Sequence, residues 1–403
     1  MSETIVIAGA GHAAGQVVAS LRQYEFDGRI VLVGDEPYLP YQRPPLSKKF
    51  LAGEMPAERL YFKPESFYEG VHVHLETRIA AIDREAGCVM TDAGETIAYD
   101  KLVLALGSRV RRLPVEGADL PGVHYLRSIA DVEGIRKDLD KGKSLVVIGA
   151  GYIGLEVAAV AQQAGLDVTV LETEDRVMSR VVSPEVSDFY QIQHTNHGVK
   201  LRLATSATSI DGKRRVRAVT TSAGESVPAD LVVIGVGIVP NTELAIEAGL
   251  EVDNGIIVDD RCVTSDPDIY AVGDCTLHPN GIYDRNLRLE SVHNALEQAK
   301  TAAANICGRD AAYCQVPWFW SDQYDLKLQI AGLSEGYDEV VIRGNPAQCS
   351  FSCIYLKNEH IIATDAINAA RDFVQSKQLI ENRVEVSAEQ LADAEVQLKE
   401  LAG

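Results

Sequence analysis

Apolar positions along the chain follow two recurring rhythms. Thr4–Ala8 is a short continuous apolar run, a glycine turn follows it, residues 14–24 carry apolar positions at helical spacing, and Arg29–Val33 is a second apolar run. This order predicts a strand, a helix and a parallel strand. The same succession returns at Ser144–Ile148, the glycine turn 149–154, the helical pattern 155–164 and the run Asp167–Leu171. Residues 101–106 and 230–234 read as buried strands that run into glycine, at Gly107 and at Gly235 with Gly237. From about Val316 the rhythm changes. Segments 318–320, 326–331, 339–343 and 350–356 alternate or are aromatic, and polar helical stretches follow, with residues 387–401 predicted as a packed last helix.

Two strand-helix-strand units in one polypeptide imply two nucleotide-binding folds, which a dehydrogenase with a single cofactor does not need. Two dinucleotides are therefore expected. The aromatic and alternating region after Val316 predicts a third, smaller α+β domain.

Length and charge narrow the function. A chain of 403 residues exceeds one hydrophobic core, and 46% hydrophobic with 24% charged residues is the composition of a folded α/β protein. Acidic side chains outnumber basic ones 58 to 38, and the net charge of -20 repels phosphate, so neither nucleic acid nor an anionic membrane is an expected partner. The apolar run at the start is too short to span a bilayer, and no cationic leader precedes it, so a cytoplasmic protein is expected. The seven cysteines are scattered without a Cys-x-x-Cys pair, which points to neither a disulfide framework nor zinc. Cys349 and Cys353 are close in sequence but lie in a stretch, 348–356, with the alternation of a strand.

The turns carry the chemistry. Gly9-Ala10-Gly11-His12-Ala13-Ala14 fits Gly-x-Gly-x-x-Gly/Ala, in which the glycines allow a tight turn and close backbone approach, and a helix N-terminus offers free N–H groups to pyrophosphate. Asp35, at the end of the next strand, is placed to accept bonds from a ribose diol, although Glu36 is adjacent and offers the same group. Gly149-Ala150-Gly151-Tyr152-Ile153-Gly154 is the full form of the motif, with Glu172 at the end of its second strand. A carboxylate there bonds the free ribose of NAD and repels the 2′-phosphate of NADP, so NADH is favoured; Arg176 and Arg180 nearby keep NADPH open.

The segment Thr264-Ser265-Asp266-Pro267-Asp268-Ile269-Tyr270-Ala271-Val272-Gly273-Asp274 resembles the motif by which two-dinucleotide flavoproteins of the glutathione reductase superfamily hold the ribityl chain of FAD. Together with Arg43-Pro44-Pro45-Leu46-Ser47-Lys48, Gly237-Ile238-Val239-Pro240-Asn241 and Pro317-Trp318-Phe319-Trp320-Ser321-Asp322-Gln323, it resembles the NADH-dependent ferredoxin reductases of bacterial oxygenase systems over essentially the whole chain. The resemblance implies an FAD-binding domain at 1–111 and 243–317, an NADH-binding domain at 112–242 and a C-terminal domain at 318–403. It implies FAD contacts from Gly9, Gly11, Ala13, Ala14, Asp35, Arg43, Lys48, Ile79, Arg127, Asp274 and Val292, with Ile79 offering only backbone. NADH contacts are expected from Gly149, Gly151, Tyr152, Ile153, Gly154, Glu172 and Gly237. Lys48 and Glu156 are the implied catalytic pair beside flavin N5, their alternative being an ordinary salt bridge.

In this reading NADH reduces FAD, and electrons then leave singly to a [2Fe-2S] ferredoxin that serves a cytochrome P450 or a ring-hydroxylating oxygenase. Residues 291–294 precede an apolar-periodic helix, 295–306, whose N-terminus suits negative charge on the flavin, with His293 as a capping or packing residue. Trp320 is a candidate docking edge or a core residue. Candidate basic patches for an acidic ferredoxin are Arg109 with Arg111 and Arg112, Lys213 to Arg217, and Arg309. Thiol-dependent oxidases and disulfide reductases need a cysteine just after the second strand, and none lies between Val33 and Leu51. A flavoprotein like apoptosis-inducing factor, switched by NADH rather than turning it over, is the non-enzymatic alternative, since such proteins share Pro-Pro-Leu-Ser-Lys.

Overall fold

The computed structural model describes residues 3–140 and 142–402. The chain divides into two compact units, one made of Met1–Arg43, Glu58–Arg109 and Ile238–Pro317, the other of Pro44–Ala57, Val110–Gly237 and Trp318–Gly403.

The first unit is built on a parallel five-stranded sheet in the spatial order Ile269–Ala271, Lys101–Leu104, Thr4–Ala8, Arg29–Val33, His72–His74. Its central strands are apolar throughout because both faces are covered, as a parallel sheet requires. Helix His12–Gln23 packs with helix Val292–Ile306 on one face, where Val17, Leu21, Ala299, Ala302 and Ala303 meet Ile5, Leu32 and Val103. The runs of alanine on the second helix permit that close approach. Both helices start earlier than periodicity suggests: Gly11 caps the first, and Ser291 caps the second by accepting from the Asn294 amide at 3.1 Å. Val292 and His293 therefore stand inside the first helical turn.

The second unit repeats the plan, with parallel strands in the order Lys200–Arg202, Asp167–Leu171, Ser144–Ile148, Leu231–Ile234, Val123–Tyr125. Helix Tyr152–Gln163 follows its glycine turn, so residues 152–154 are helical rather than part of the turn. An antiparallel sheet of Ala207–Gly212, Val216–Thr221 and Ser226–Pro228 covers one side through Ile210, Val216 and Val219. The basic cluster at Lys213 lies at this hairpin, and Arg215 in it pairs with Asp138.

Residues after Trp318 form an antiparallel sheet in the order Trp318–Gln323, Leu326–Gly332, His360–Ile367, Ser350–Lys357, Glu339–Asn345. Cys353 is buried within it and Cys349 stands in a left-handed turn before it. The expected last helix over 387–401 is corrected: the α-helix covers only Ala388–Ala392, and a 3-10 turn follows at Leu398–Ala402. The cause is Arg343. Its buried guanidinium donates to the carbonyls of Leu391, Asp393, Ala394 and Val396, so the unwound backbone is satisfied without a helical ladder. Among the described residues no helix is long and apolar enough to cross a membrane, and no group of three His, Cys, Asp or Glu side chains is arranged to hold a metal.

Candidate functional site

In the first unit the turn after Thr4–Ala8 is shaped by Gly9. Its φ of +115° excludes ordinary side chains, its amide donates to Val33 O at 2.7 Å, and a Cβ there would lie 2.2 Å from Ala105 O. A Cβ on Gly11 would meet nothing within 4 Å, so open space lies directly before the helix that Gly11 caps without a side-chain bond. Ala13 and Ala14 fill the first turn and are buried. Of the two adjacent acids, Glu36 is engaged: it receives Arg43 Nη2 at 2.6 Å and the Tyr41 hydroxyl at 2.6 Å. Asp35 is exposed at the strand end. Asp274 follows strand Ile269–Ala271 and accepts from the Ser108 hydroxyl at 3.0 Å. Its loop is fastened to helix Val292–Ile306 by Gln298, whose Oε1 accepts from the Gly273 amide at 2.8 Å and from Thr276 Oγ1 at 3.0 Å. Ile79 opens strand Ile79–Asp83 with its side chain in the core.

The second unit carries the second turn. Gly149 has φ +104° and its amide donates to Leu171 O at 2.8 Å; a Cβ there would lie 2.5 Å from Gly235 O. Gly151 faces open space, and a Cβ on Gly154 would sit 2.0 Å from Gly149 O, which makes the third glycine a packing requirement. Glu172 is held in the turn, where Oε2 accepts from the Ala150 amide at 2.7 Å and Oε1 from the Glu174 amide at 3.0 Å. Arg176 is committed elsewhere, donating to Val182 O, Ser179 O and Ser187 Oγ. Tyr152 rests on Phe319 with ring centroids 4.8 Å apart, and Ile153 is exposed. Gly237, at φ +98°, accepts from the Arg111 amide at 2.9 Å. Arg127 and Lys48, both expected at the FAD, also belong to this unit, Arg127 beside helix Ile129–Arg136 with its amide bonded to Asp131 at 2.9 Å.

Lys48 and Glu156 come together. The Lys48 ammonium lies 2.7 Å from Glu156 Oε2, and the carboxylate is only 1% exposed. A buried charge needs more than one partner. Ser47 also donates to Oε2, and Ser321 donates to Oε1 at 2.6 Å, so three segments distant in sequence meet at one carboxylate. Sequence reasoning missed Ser47 and Ser321 as members of this corner, although both stand inside motifs it singled out. Gln323, which extends it, ends the motif that holds Ser321, whereas His194 gave no signal of its own. Trp320 is half-buried and lies 5.5 Å from Trp318, ring to ring.

Two glycine turns of this geometry, each opening a helix from a parallel sheet, are the arrangement that comparison with known proteins resolves. Residues 3–299 match the family described as pyridine nucleotide-disulphide oxidoreductase, and residues 318–402 the one described as reductase C-terminal. The chain belongs to the pyridine nucleotide-disulphide oxidoreductase family. Among relatives of this oxidoreductase, putidaredoxin reductase of Pseudomonas putida is 44% identical, the match covering 99% of this chain and 97% of that protein. The covalent putidaredoxin reductase-putidaredoxin complex superposes with a TM-score of 0.97 at 44% identity over 99% of this chain and 98% of the other. The ferredoxin reductase for the CYP199A2 system of Rhodopseudomonas palustris gives a TM-score of 0.96 at 45% identity over the full length of both. The fold is thus that of an oxidoreductase with two Rossmann-like domains and a C-terminal α+β domain.

Proposed function

We propose that this protein passes electrons from NADH through FAD to a [2Fe-2S] ferredoxin that serves a cytochrome P450 or a ring-hydroxylating oxygenase. The observation that carries this reading is the pair of glycine turns, each with open space at its second glycine, Gly11 and Gly151, ahead of a helix N-terminus. Such a terminus is a ready anion site, and two of them in one chain fit two pyrophosphates. Its relatives, a reductase of putidaredoxin and a ferredoxin reductase for the CYP199A2 system, support the acceptor and favour turnover over an NADH-operated switch.

FAD, when bound, couples a two-electron donor to a one-electron acceptor. Its proposed holders are Gly9, Gly11, Ala13, Ala14, Asp35, Arg43, Lys48, Ile79, Arg127, Asp274 and Val292. Asp274 orients the ribityl hydroxyls, and the helix that starts at Val292 favours negative charge at its N-terminus. NADH is assigned to Gly149, Gly151, Tyr152, Ile153, Gly154, Glu172 and Gly237. Glu172 favours NADH, and the commitment of Arg176 to its own loop supports the same preference. Lys48 and Glu156 are the proposed catalytic pair. A thiol relay is disfavoured, because burial pushes the Cys275 thiol up to about 11 and that of Cys262 higher still.

The division into an FAD domain at 1–111 and 243–317, an NADH domain at 112–242 and a C-terminal domain at 318–403 belongs to this proposal and is supported by the two parallel sheets and the separate antiparallel one. A cytoplasmic location is supported by seven free cysteines. The test is stopped-flow reduction by NADH followed by transfer to a panel of [2Fe-2S] proteins. Rapid bleaching of the flavin and multiple turnovers with a ferredoxin are expected; a long-lived charge-transfer complex that reduces no ferredoxin would overturn the reading.

A further inference from the structure

The buried polar residues behind Glu156 form a chain whose direction is fixed at one end. Glu156 Oε2 faces the Lys48 ammonium, so the group is a carboxylate and can only accept. Ser321 must then donate its hydroxyl proton to Oε1, which leaves its own oxygen to accept from Gln323 Nε2 at 3.2 Å. That sets the amide of Gln323. Its Oε1 therefore accepts, and the partner at 2.8 Å, His194 Nε2, must carry the proton. With Nε2 protonated, the neutral ring presents Nδ1 as an acceptor to the Tyr324 hydroxyl at 3.3 Å. Burial lowers the His194 pKa to about 4, against the opposing bond from Gln323, which keeps the ring neutral at ordinary pH. Ser321, Gln323 and His194 are each buried, and all members of the chain lie in the second unit.

We propose that Ser321, Gln323 and His194 are positioning residues that act as one run of aligned donors, each pointing its proton toward Glu156, and that they fix the place and the effective charge of this carboxylate opposite Lys48. Aligned bonds polarise one another, so a donor three bonds away changes the last bond in the series. Among the described residues no hydrogen bond joins His194 or Gln323 to Lys48 or Glu156, yet they tune the pair through Ser321. The corollary that they thereby tune the flavin rests on the proposed placement of Lys48 and Glu156 beside it.

The experiment uses the FAD-loaded protein and two readouts. Infrared bands of the Glu156 carboxylate, picked out by difference from Glu156→Gln, report the relay without reference to turnover; the midpoint potential of the flavin reports its consequence. Ser321→Ala is expected to shift the carboxylate bands, to lower the midpoint potential, and to slow flavin reduction by NADH about tenfold to a hundredfold at unchanged KM, the factor for a lost bond to a charged group. Ser321→Thr, which keeps the hydroxyl, is expected to restore all three. Gln323→Leu and His194→Leu should move the bands the same way by less, and His194→Gln, which retains an N–H donor, should bring them back. On a Glu156→Gln background, Ser321→Ala should no longer change the potential.

Carboxylate bands that stay in place in both Gln323→Leu and His194→Leu would overturn the relay, as would a potential shift from Ser321→Ala that persists undiminished on the Glu156→Gln background. A distinct failure is also readable. If the bands respond but Glu156→Gln itself leaves the potential where it was, the relay stands and the placement of the pair beside the flavin falls.

Discussion

The two glycine turns answer the same sequence pattern with different treatment of their acids. In the first unit Asp35 stands exposed, and its neighbour Glu36 is the one tied to protein, through Arg43 and Tyr41. In the second, Glu172 is bonded into the turn through the amides of Ala150 and Glu174. The third position differs as well, alanine in one turn and a glycine without room for a Cβ in the other. A shared fingerprint therefore specifies the helix N-terminus and its open approach, but not how freely the carboxylate beside it can serve a ligand.

The largest effects should come from the first glycine of each turn. Gly9→Ala and Gly149→Ala both force a residue into φ above +100° and drive a Cβ against a backbone carbonyl, at 2.2 Å and 2.5 Å. Left-handed strain alone costs about 1–3 kcal/mol at such a position. The two variants should nonetheless fail differently. Gly9→Ala is expected to purify with little flavin, whereas Gly149→Ala should remain yellow and lose reduction by NADH. Flavin absorbance per chain and a single-turnover trace separate them, and equal flavin loss in both would erase the distinction between the turns.

Next in size is acid stability, to which each unit contributes one buried histidine. His278, at 1% exposure in the first unit, and His194, fully buried in the second, are both lowered by burial to about 4. In the unfolded chain each titrates near 6.5, so between about pH 6.5 and pH 4 the unfolded state binds more protons and stability falls as pH falls. Each is worth about 3 kcal/mol over that window at roughly 1.4 kcal/mol per pKa unit. Asp365 works the other way, since burial, partly offset by the Tyr355 hydroxyl, pushes it up to about 7 and stability then declines as pH rises toward that value. His278→Phe, which keeps the edge-to-face ring contact with Tyr313, should remove about 3 kcal/mol of the acid-side loss and leave Asp365 to offset what His194 contributes, so that Tm against pH becomes nearly flat over that window. An unaltered slope would place the acid sensitivity elsewhere.

What the sequence displayed, and what it hid, follows from how each element satisfies its polar groups. The parallel strands and their glycine turns were legible because continuous apolar runs and positive-φ glycines leave few alternatives. Strand His360–Ile367 was not, because Thr364 and Asp365 are buried within it and break the apolar signal; the Tyr355 hydroxyl, bonded to Asp365 at 2.5 Å, is what permits this. The last segment failed for a related reason, since its leucines are spaced as in a helix while Arg343, far upstream, takes the carbonyls that a helix would have used. At the site, Lys48 and Glu156 were legible only through a resemblance, and the donors that make a buried carboxylate tolerable come from residues whose pattern is that of ordinary strand and helix positions.

The smallest effects separate the two acids. Asp35→Ala removes a side chain without protein bonds to lose, so FAD affinity should weaken about tenfold, the factor of a bond or two of about 1 kcal/mol, while Tm stays put. Glu172→Ala removes the bonds from the Ala150 and Glu174 amides and the Thr173 hydroxyl as well as the ribose partner, so it should lower Tm, raise the KM for NADH about tenfold and narrow the preference over NADPH. Those consequences are separable with Glu172→Gln. The amide oxygen still accepts from the Ala150 amide, while the amide NH2 cannot accept from the Glu174 amide or the Thr173 hydroxyl, so part of the turn bonding is kept and the charge that repels a 2′-phosphate is gone. A Tm between those of the parent and Glu172→Ala, with a narrowed ratio of kcat/KM for NADH over NADPH, is expected. A parent-like ratio in that variant would make Glu172 a fastener of the turn and leave cofactor choice to the shape of the pocket.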